Sequence, residues 1–244
     1  VTGILDKNGE VLLTFRVASN DKLTEDEYCS YLRNISEFNK IDIKNVEGII
    51  VASVVPNLIT IFQFLGKKYF HIDPMIVGLD IKIPFTFAPN LNPTGFGADR
   101  IIDIVQSLND YPDKNLVIFD FGSATTYEVL EKTVYVGGGI LPGIEMSINA
   151  LFANTAKLPK VKFSTPESVL GKNTNEQIQA GIFYGYAGQI NHIIKKIKEV
   201  IDNPFVVATG GLGKILSAEI EEIDVYSPDL SIKGLYTLYL HNKK

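Results

Sequence analysis

The sequence predicts an α/β protein built as two related halves, and three observations predict it. Apolar runs of strand length alternate with stretches of helical periodicity along most of the 244 residues, the pattern that packs helices against sheets. Each half opens on strands joined by tight turns before its helices begin. The stretch between the halves, 78–98, lacks periodicity and carries Pro84, Pro89 and Pro93. It reads as an ordered functional loop or a crossover, with too little Gly and Ser for a flexible linker. The division is expected close to residue 112, giving domains 1–112 and 113–244.

VTGILDKNGEVLLTFRVAS reads as two strands joined at Lys7-Asn8-Gly9, because Asn-Gly between apolar runs marks a hairpin. Thr24 stands three residues before Glu27, a capping-box spacing, and a helix continues through EDEYCSYLRNISEF. GIIVASVVP is a strand ended by Pro56, and NLITIFQFLGKKY is a helix leading into a short strand, YFHID. A helix starting near Asp99 ends by Asn109, and Tyr111-Pro112-Asp113 turns the chain. In the second half NLVIFDFGSATTYEVLEKTVYVGG is strand, turn, strand, strand, and PGIEMSINALF is a helix. A long helix over about Thr174 to Ile201 precedes the strand PFVVATGG, a helix on GKILSAEI and a last helix near IKGLYTLYL.

Composition excludes several functions. Hydrophobic residues make up 45% and charged residues 21%, ordinary values for a globular protein and far from those of a disordered chain. A net charge of −5 leaves no broad basic surface for a nucleic acid. Cys29 is the only cysteine, so an internal disulfide is impossible and a reducing, cytoplasmic setting is expected. His71, His192 and His241 are scattered, without metal-ligand spacing. No apolar run approaches the ~20 residues of a membrane span.

The chemistry is concentrated in a few glycine-containing turns. In FDFGSATTYEVL an acid, Asp120, ends an apolar strand, and Gly122 and the hydroxyl residues Ser123, Thr125 and Thr126 follow. Small side chains let backbone N–H and hydroxyl groups crowd around an anion, so this turn suits phosphate, with Asp120 placed to hold a cation. A plain β-hairpin uses the same residues. VVATGGLGKIL ends a buried strand in Gly210-Gly211, where backbone without Cβ admits a flat ring or a phosphate. It is a poor dinucleotide fingerprint, since a third glycine is missing. Nor is Gly171-Lys172 part of a G-x-x-x-x-G-K phosphate loop, because Pro166 stands at the earlier glycine and Asn173 where Ser or Thr is required. GGGILPG puts glycines before a proline in a helix's first turn, which fits close packing as well as ligand approach. NPTGFGADR joins Gly95-Phe96-Gly97 to Asp99 and Arg100 at the mouth of an apolar helix. Such a carboxylate can accept a proton and such a guanidinium can clamp an anion, although a helix cap and a surface ion pair would use the same two residues.

A strand-turn with an acid, a later Thr-Gly-Gly turn and a glycine-rich turn between them resemble the ATP site of the actin-like and sugar-kinase superfamily. GFGADR, with NP before it, closely resembles the G-x-G-A-D-R signature of type III pantothenate kinases. DFGSATT resembles that family's D-x-G-T-A-T-T, GGGILPG its G-G-x-I-x-P-G, and GKNTNEQIQAG its G-K-x-T-x-x-x-I-x-x-G; TAKLP and ATGG are similar to further family segments. The motifs run in register over nearly the whole chain. The resemblance implies an α/β fold of two ribonuclease-H-like (actin-like ATPase) domains with mixed β-sheets flanked by helices. It also implies ATP-dependent phosphorylation of pantothenate to 4′-phosphopantothenate, the first step of coenzyme A synthesis. Asp99 is then the general base, Gly97, Ala98, Asp99, Arg100 and Thr174 bind pantothenate, and Gly122, Ser123, Thr125, Gly210 and Gly211 bind ATP. Asp120 holds a monovalent cation, K⁺ or NH₄⁺, Mg²⁺ accompanies the nucleotide, and Thr174 reaches pantothenate across a homodimer interface.

The resemblance has gaps. The family's first phosphate turn, D-x-G-N-T, would precede Val1, and a chain truly starting at Val1 is expected to show little kinase activity. Ser123 replaces a threonine and keeps its hydroxyl. Asn90 stands about where many relatives have a tyrosine. Two other readings remain at this stage: a catalytically silent relative that regulates or binds partners, and a kinase of the same superfamily acting on another small molecule.

Overall fold

Local chemistry places most elements where the pattern predicts them in the computed structural model, which describes residues 1–243. Strands β1 (Thr2–Leu5) and β2 (Val11–Phe15) pair antiparallel. Their turn is tied by the Asp6 carboxylate, which accepts the N–H groups of Asn8 and Glu10 at 2.8 and 2.9 Å. Helix α1 (Glu25–Phe38) starts on the predicted capping box, with Glu27 N–H donating to Thr24 Oγ1 and Thr24 N–H to Glu27 Oε2. Strand β3 (Ile50–Val51) and helix α2 (Pro56–Leu65) follow. The strand expected at YFHID does not form. Instead α2 runs on through a π-helical turn, Gly66–Phe70, which His71 stops in a left-handed conformation with φ 57°. The strand in this region is β4 (Met75–Ile76), beyond Pro74.

Strand β5 (Thr86–Phe87) lies inside the stretch expected to be irregular, and helix α3 (Ala98–Asp110) follows it. Then come β6 (Leu116–Phe121), β7 (Ala124–Glu131), β8 (Val134–Pro142), α4 (Ile144–Ala153) and α5 (Thr174–Lys198). The chain closes with β9 (Phe205–Thr209), α6 (Gly213–Ser217), the unforeseen β10 (Val225–Tyr226) and α7 (Leu230–Asn242).

Two compact units result. One comprises Val1–Pro84, Pro93–Asn109 and the chain from Leu230 onward; the other comprises Phe85–Asn92 and Asp110–Asp229. They differ from contiguous halves 1–112 and 113–244 in that β5 joins the later unit and α7 the earlier one.

In the second unit a six-stranded mixed sheet has the order β10-β9-β6-β7-β8-β5. Strands β6, β7 and β8 form an antiparallel meander, and β9 and β10 add in parallel on the far side of β6. A central strand followed by two meander strands on one side and two parallel strands on the other is the ribonuclease-H-like arrangement. β6 reads LVIFDF because it is covered on both faces: Leu116, Val117, Ile118 and Phe119 are each at most 1% exposed. Its odd-numbered residues Val117, Phe119 and Phe121 pack with Phe183, Ile190 and Ile194 of α5 and Leu216 of α6 in one core.

The first unit has smaller sheets, the β1–β2 hairpin and a parallel β3–β4 pair. Helix α7 packs against both β1 and β3. A separate core gathers Tyr28 of α1 with Leu58 and Leu65 of α2. The Tyr28 hydroxyl donates to Asn20 O at 3.0 Å and closes the preceding loop onto α1.

Candidate active site

The NPTGFGADR stretch folds as a turn feeding a helix. Phe96 N–H donates to Pro93 O at 3.0 Å, and Gly95 takes φ +78°. A turn with positive φ at its third position needs glycine there. The helix follows at once, with Ile101 N–H bonded to Gly97 O. Ala98 is buried, whereas Asp99 is exposed in the first turn, where the helix dipole favours a negative charge. Asp99 Oδ1 accepts the Arg100 N–H at 2.9 Å, so the local cap is formed through one carboxylate oxygen. The Arg100 guanidinium lies 4.1 Å from the centre of the Phe96 ring, a cation–π arrangement.

In the second unit three turns come together at the carboxyl ends of β6, β8 and β9. Asp120, the last residue but one of β6, lies beside Thr209 of β9, its partner in the parallel register. Gly210, at φ +89°, follows directly, and a Cβ there would fall 2.5 Å from Asp120 Oδ1 and 2.6 Å from the Phe121 backbone. Gly122 lies on the other side, where a Cβ would stand 3.1 Å from Asp120 Oδ2. Gly143, at the end of β8, has no room for a Cβ against the Ser123 carbonyl. Glycine lets the Gly210 and Gly122 backbones approach the Asp120 carboxylate this closely, and lets Gly143 pack on the turn that follows it. The result is a shallow cradle with Ser123 and Gly211 exposed at its rim. Its oxygen donors suit a hard cation, and its exposed backbone and hydroxyl suit an anion.

Thr125 is placed differently from Ser123. It is 0% exposed, and its Oγ1 approaches the Tyr186 hydroxyl of α5 without closing a hydrogen bond. Burial pushes the Tyr186 phenol up from its ordinary pKa, and the hydroxyl donates to Pro142 O at 3.3 Å. Thr174 is exposed at the first position of α5. Asn173 caps this helix, accepting Glu176 N–H at 3.1 Å, while Glu176 Oε2 accepts Lys172 N–H at 2.8 Å. Asn90 is exposed beside β5.

Sequence reasoning missed two supports of this site. Tyr226 of β10 donates its hydroxyl to Gly210 O at 3.1 Å and so fixes the Thr-Gly-Gly turn. Tyr186 does the same for the end of β8. Both lie far along the chain from the turns they hold, and neither belongs to a glycine motif. Among the described residues no group of three or more His, Cys, Asp or Glu side chains could hold a metal ion. No described helix is long and apolar enough to cross a membrane.

Residues 1–196 match the family model of type III pantothenate kinase. The chain belongs to the type III pantothenate kinase family. A relative from Fusobacterium nucleatum subsp. nucleatum named type III pantothenate kinase is 67% identical over all 244 residues, covering 95% of that protein. Among solved structures, a Campylobacter jejuni protein described as a Baf family transcriptional activator superposes with a TM-score of 0.54 at 20% identity, over 85% of this chain and 88% of its own. A Sinorhizobium meliloti protein described as a 2-dehydro-3-deoxygalactonokinase gives 0.54 at 11% identity, over 98% and 92%. The last two likenesses show that the type III kinase chain has the actin-like ATPase and sugar-kinase fold.

Proposed function

We infer that this kinase transfers the terminal phosphoryl group of ATP to the primary hydroxyl of pantothenate, giving 4′-phosphopantothenate for coenzyme A synthesis. The observation that carries this reading is the cradle around Asp120, where Gly122 and Gly210 bring backbone against one carboxylate and Gly143 packs on the Gly122-Ser123 turn, in a chain of this family. Phosphoryl transfer asks a protein mainly for positioning and charge stabilisation. The Ser123 hydroxyl and the backbone at Gly122 would meet the phosphates, Thr125 shaping the turn from its buried position. Gly210 and Gly211 would lie against adenosine. Asp120 would hold K⁺ or NH₄⁺, and Mg²⁺ bound with the nucleotide supplies charge neutralisation to its oxygens.

Asp99 is proposed as the general base, its second carboxylate oxygen taking the proton of the pantothenate hydroxyl. Gly97, Ala98 and Arg100 would position that substrate, the guanidinium pairing with its carboxylate. Thr174 would act across a homodimer interface. The exposed apolar residues Ile140, Met146, Phe152, Val169 and Leu170, all within the 35 residues before Thr174, support an interface there. A cytoplasmic setting fits the single cysteine. Coupled ADP release from the full-length protein with Mg²⁺ and K⁺ tests the reading: turnover that requires pantothenate is expected, and ATP binding without pantothenate-dependent turnover would end it.

A further inference from the structure

Helix α3 carries polar residues where an interior helix normally carries apolar ones. Asp103, Gln106 and Ser107 are 3%, 4% and 0% exposed. A buried carboxylate or amide is tolerated only when it is hydrogen-bonded, and partners come from α7, more than a hundred residues later. Ser231 Oγ donates to Asp103 Oδ1 at 2.6 Å, and Thr237 Oγ1 donates to Gln106 Oε1 at 2.7 Å. Between these bonds Gly234 lies directly on the Ile102 carbonyl, with no room for a Cβ. Ser231, Gly234 and Thr237 recur every three residues and form one stripe of α7.

On α3 the two clamped residues extend a row that begins with Asp99. Asp99, Asp103 and Gln106 stand at i, i+4 and i+7, so they project from one side of the helix. Two bonds on that row fix the rotation of α3 about its own axis, which two apolar faces sliding on each other would leave soft. Rotation matters here because a side-chain head sits about 5 Å from a helix axis, so a turn of about 10° displaces it by about 1 Å. A misplacement of about 1 Å can cost about 100-fold in rate.

We propose that Ser231 and Thr237 are positioning residues for phosphoryl transfer: through Asp103 and Gln106 they set the rotation of α3 and with it the aim of Asp99 and Arg100. The proposal rests on the assignment of Asp99 as base. Neither hydroxyl touches a reacting atom, so loss of either acts on turnover and pantothenate use while the ATP cradle of the other unit is untouched.

The test uses the full-length enzyme carrying Ser231→Ala with Thr237→Val, alongside Ser231→Thr, Asp103→Asn and Asp99→Asn. The double variant is expected to lose about 10- to 100-fold in kcat, with the KM for ATP within about twofold of the parent, measured below its melting temperature. Ser231→Thr keeps the hydroxyl, and Asp103→Asn keeps an acceptor oxygen; both are expected within about threefold of the parent kcat. A double variant that melts earlier but turns over at the parent rate would overturn the proposal, as would equal losses in kcat and ATP affinity. Should the double variant not fold, the single Ser231→Ala decides by the same two readings. Parent-like turnover of Asp99→Asn would remove the base assignment itself, whereas an inactive Asp99→Asn beside unaffected Ser231 variants would remove only the positioning role.

Discussion

The two units hold their chemistry by different means. In the second, Asp120, Gly122 and Gly210 sit on the ends of neighbouring strands of one six-stranded sheet, so ladder hydrogen bonds fix their separation. In the first, Asp99 and Arg100 stand on the tip of a single helix whose rotation is set by side-chain bonds to α7. A sheet edge fixes several groups at once through backbone. A helix tip aims one or two side chains and depends on whatever packs along its length. The contrast suits a reaction in which a polyanion must be cradled from many sides while one hydroxyl is addressed from one direction.

Three substitutions break or sharpen this contrast. The largest effect is expected for Asp99→Asn, which removes the proposed proton acceptor at the helix tip while keeping an oxygen for the Arg100 N–H. Turnover should fall about 100- to 10,000-fold with an unchanged melting temperature, as steady-state kinetics and calorimetry would show. Gly210→Ala attacks the strand-end cradle, where a Cβ meets both the Asp120 carboxylate and the Phe121 backbone. A loss of about 1–3 kcal/mol is expected from strain at positive φ, appearing as weaker ATP binding and a lower melting temperature together. The smallest effect belongs to Thr24→Ala, which removes the α1 capping box. About 1 kcal/mol of stability should go, visible in denaturant unfolding, with kcat unchanged because α1 carries none of the reacting groups.

Elements governed by local chemistry could be read directly from the sequence. The Asn-Gly hairpin, the Thr24–Glu27 box and the three-strand meander on either side of DFGS all follow from residues within a few positions of one another. The gathering of glycine turns around Asp120 was legible for the same reason, since glycines and small hydroxyl residues at strand ends announce themselves. YFHID misled because its alternation of apolar and polar residues mimics a strand, while the chain is captured by the helical run before it and stopped at His71. Strand β5 gave no signal, being two residues long and paired with Val134 and Tyr135 far along the chain. The polar face of α3 was hidden inside IIDIVQSLND for a related reason: Asp103 and Gln106 look like surface residues until Ser231 and Thr237 are brought to them. The family motifs are silent about the residues that hold them still.

Helix α7 also imposes an order on the making of this protein. During synthesis on the ribosome every residue of the second unit emerges before Leu230 does, so that unit can close as soon as β9 and β10 have joined its sheet. The earlier-made β1, β3 and α3 must meanwhile wait with the surfaces they will give to α7 uncovered, Asp103 and Gln106 among them. The unit whose chain is translated first is therefore finished last.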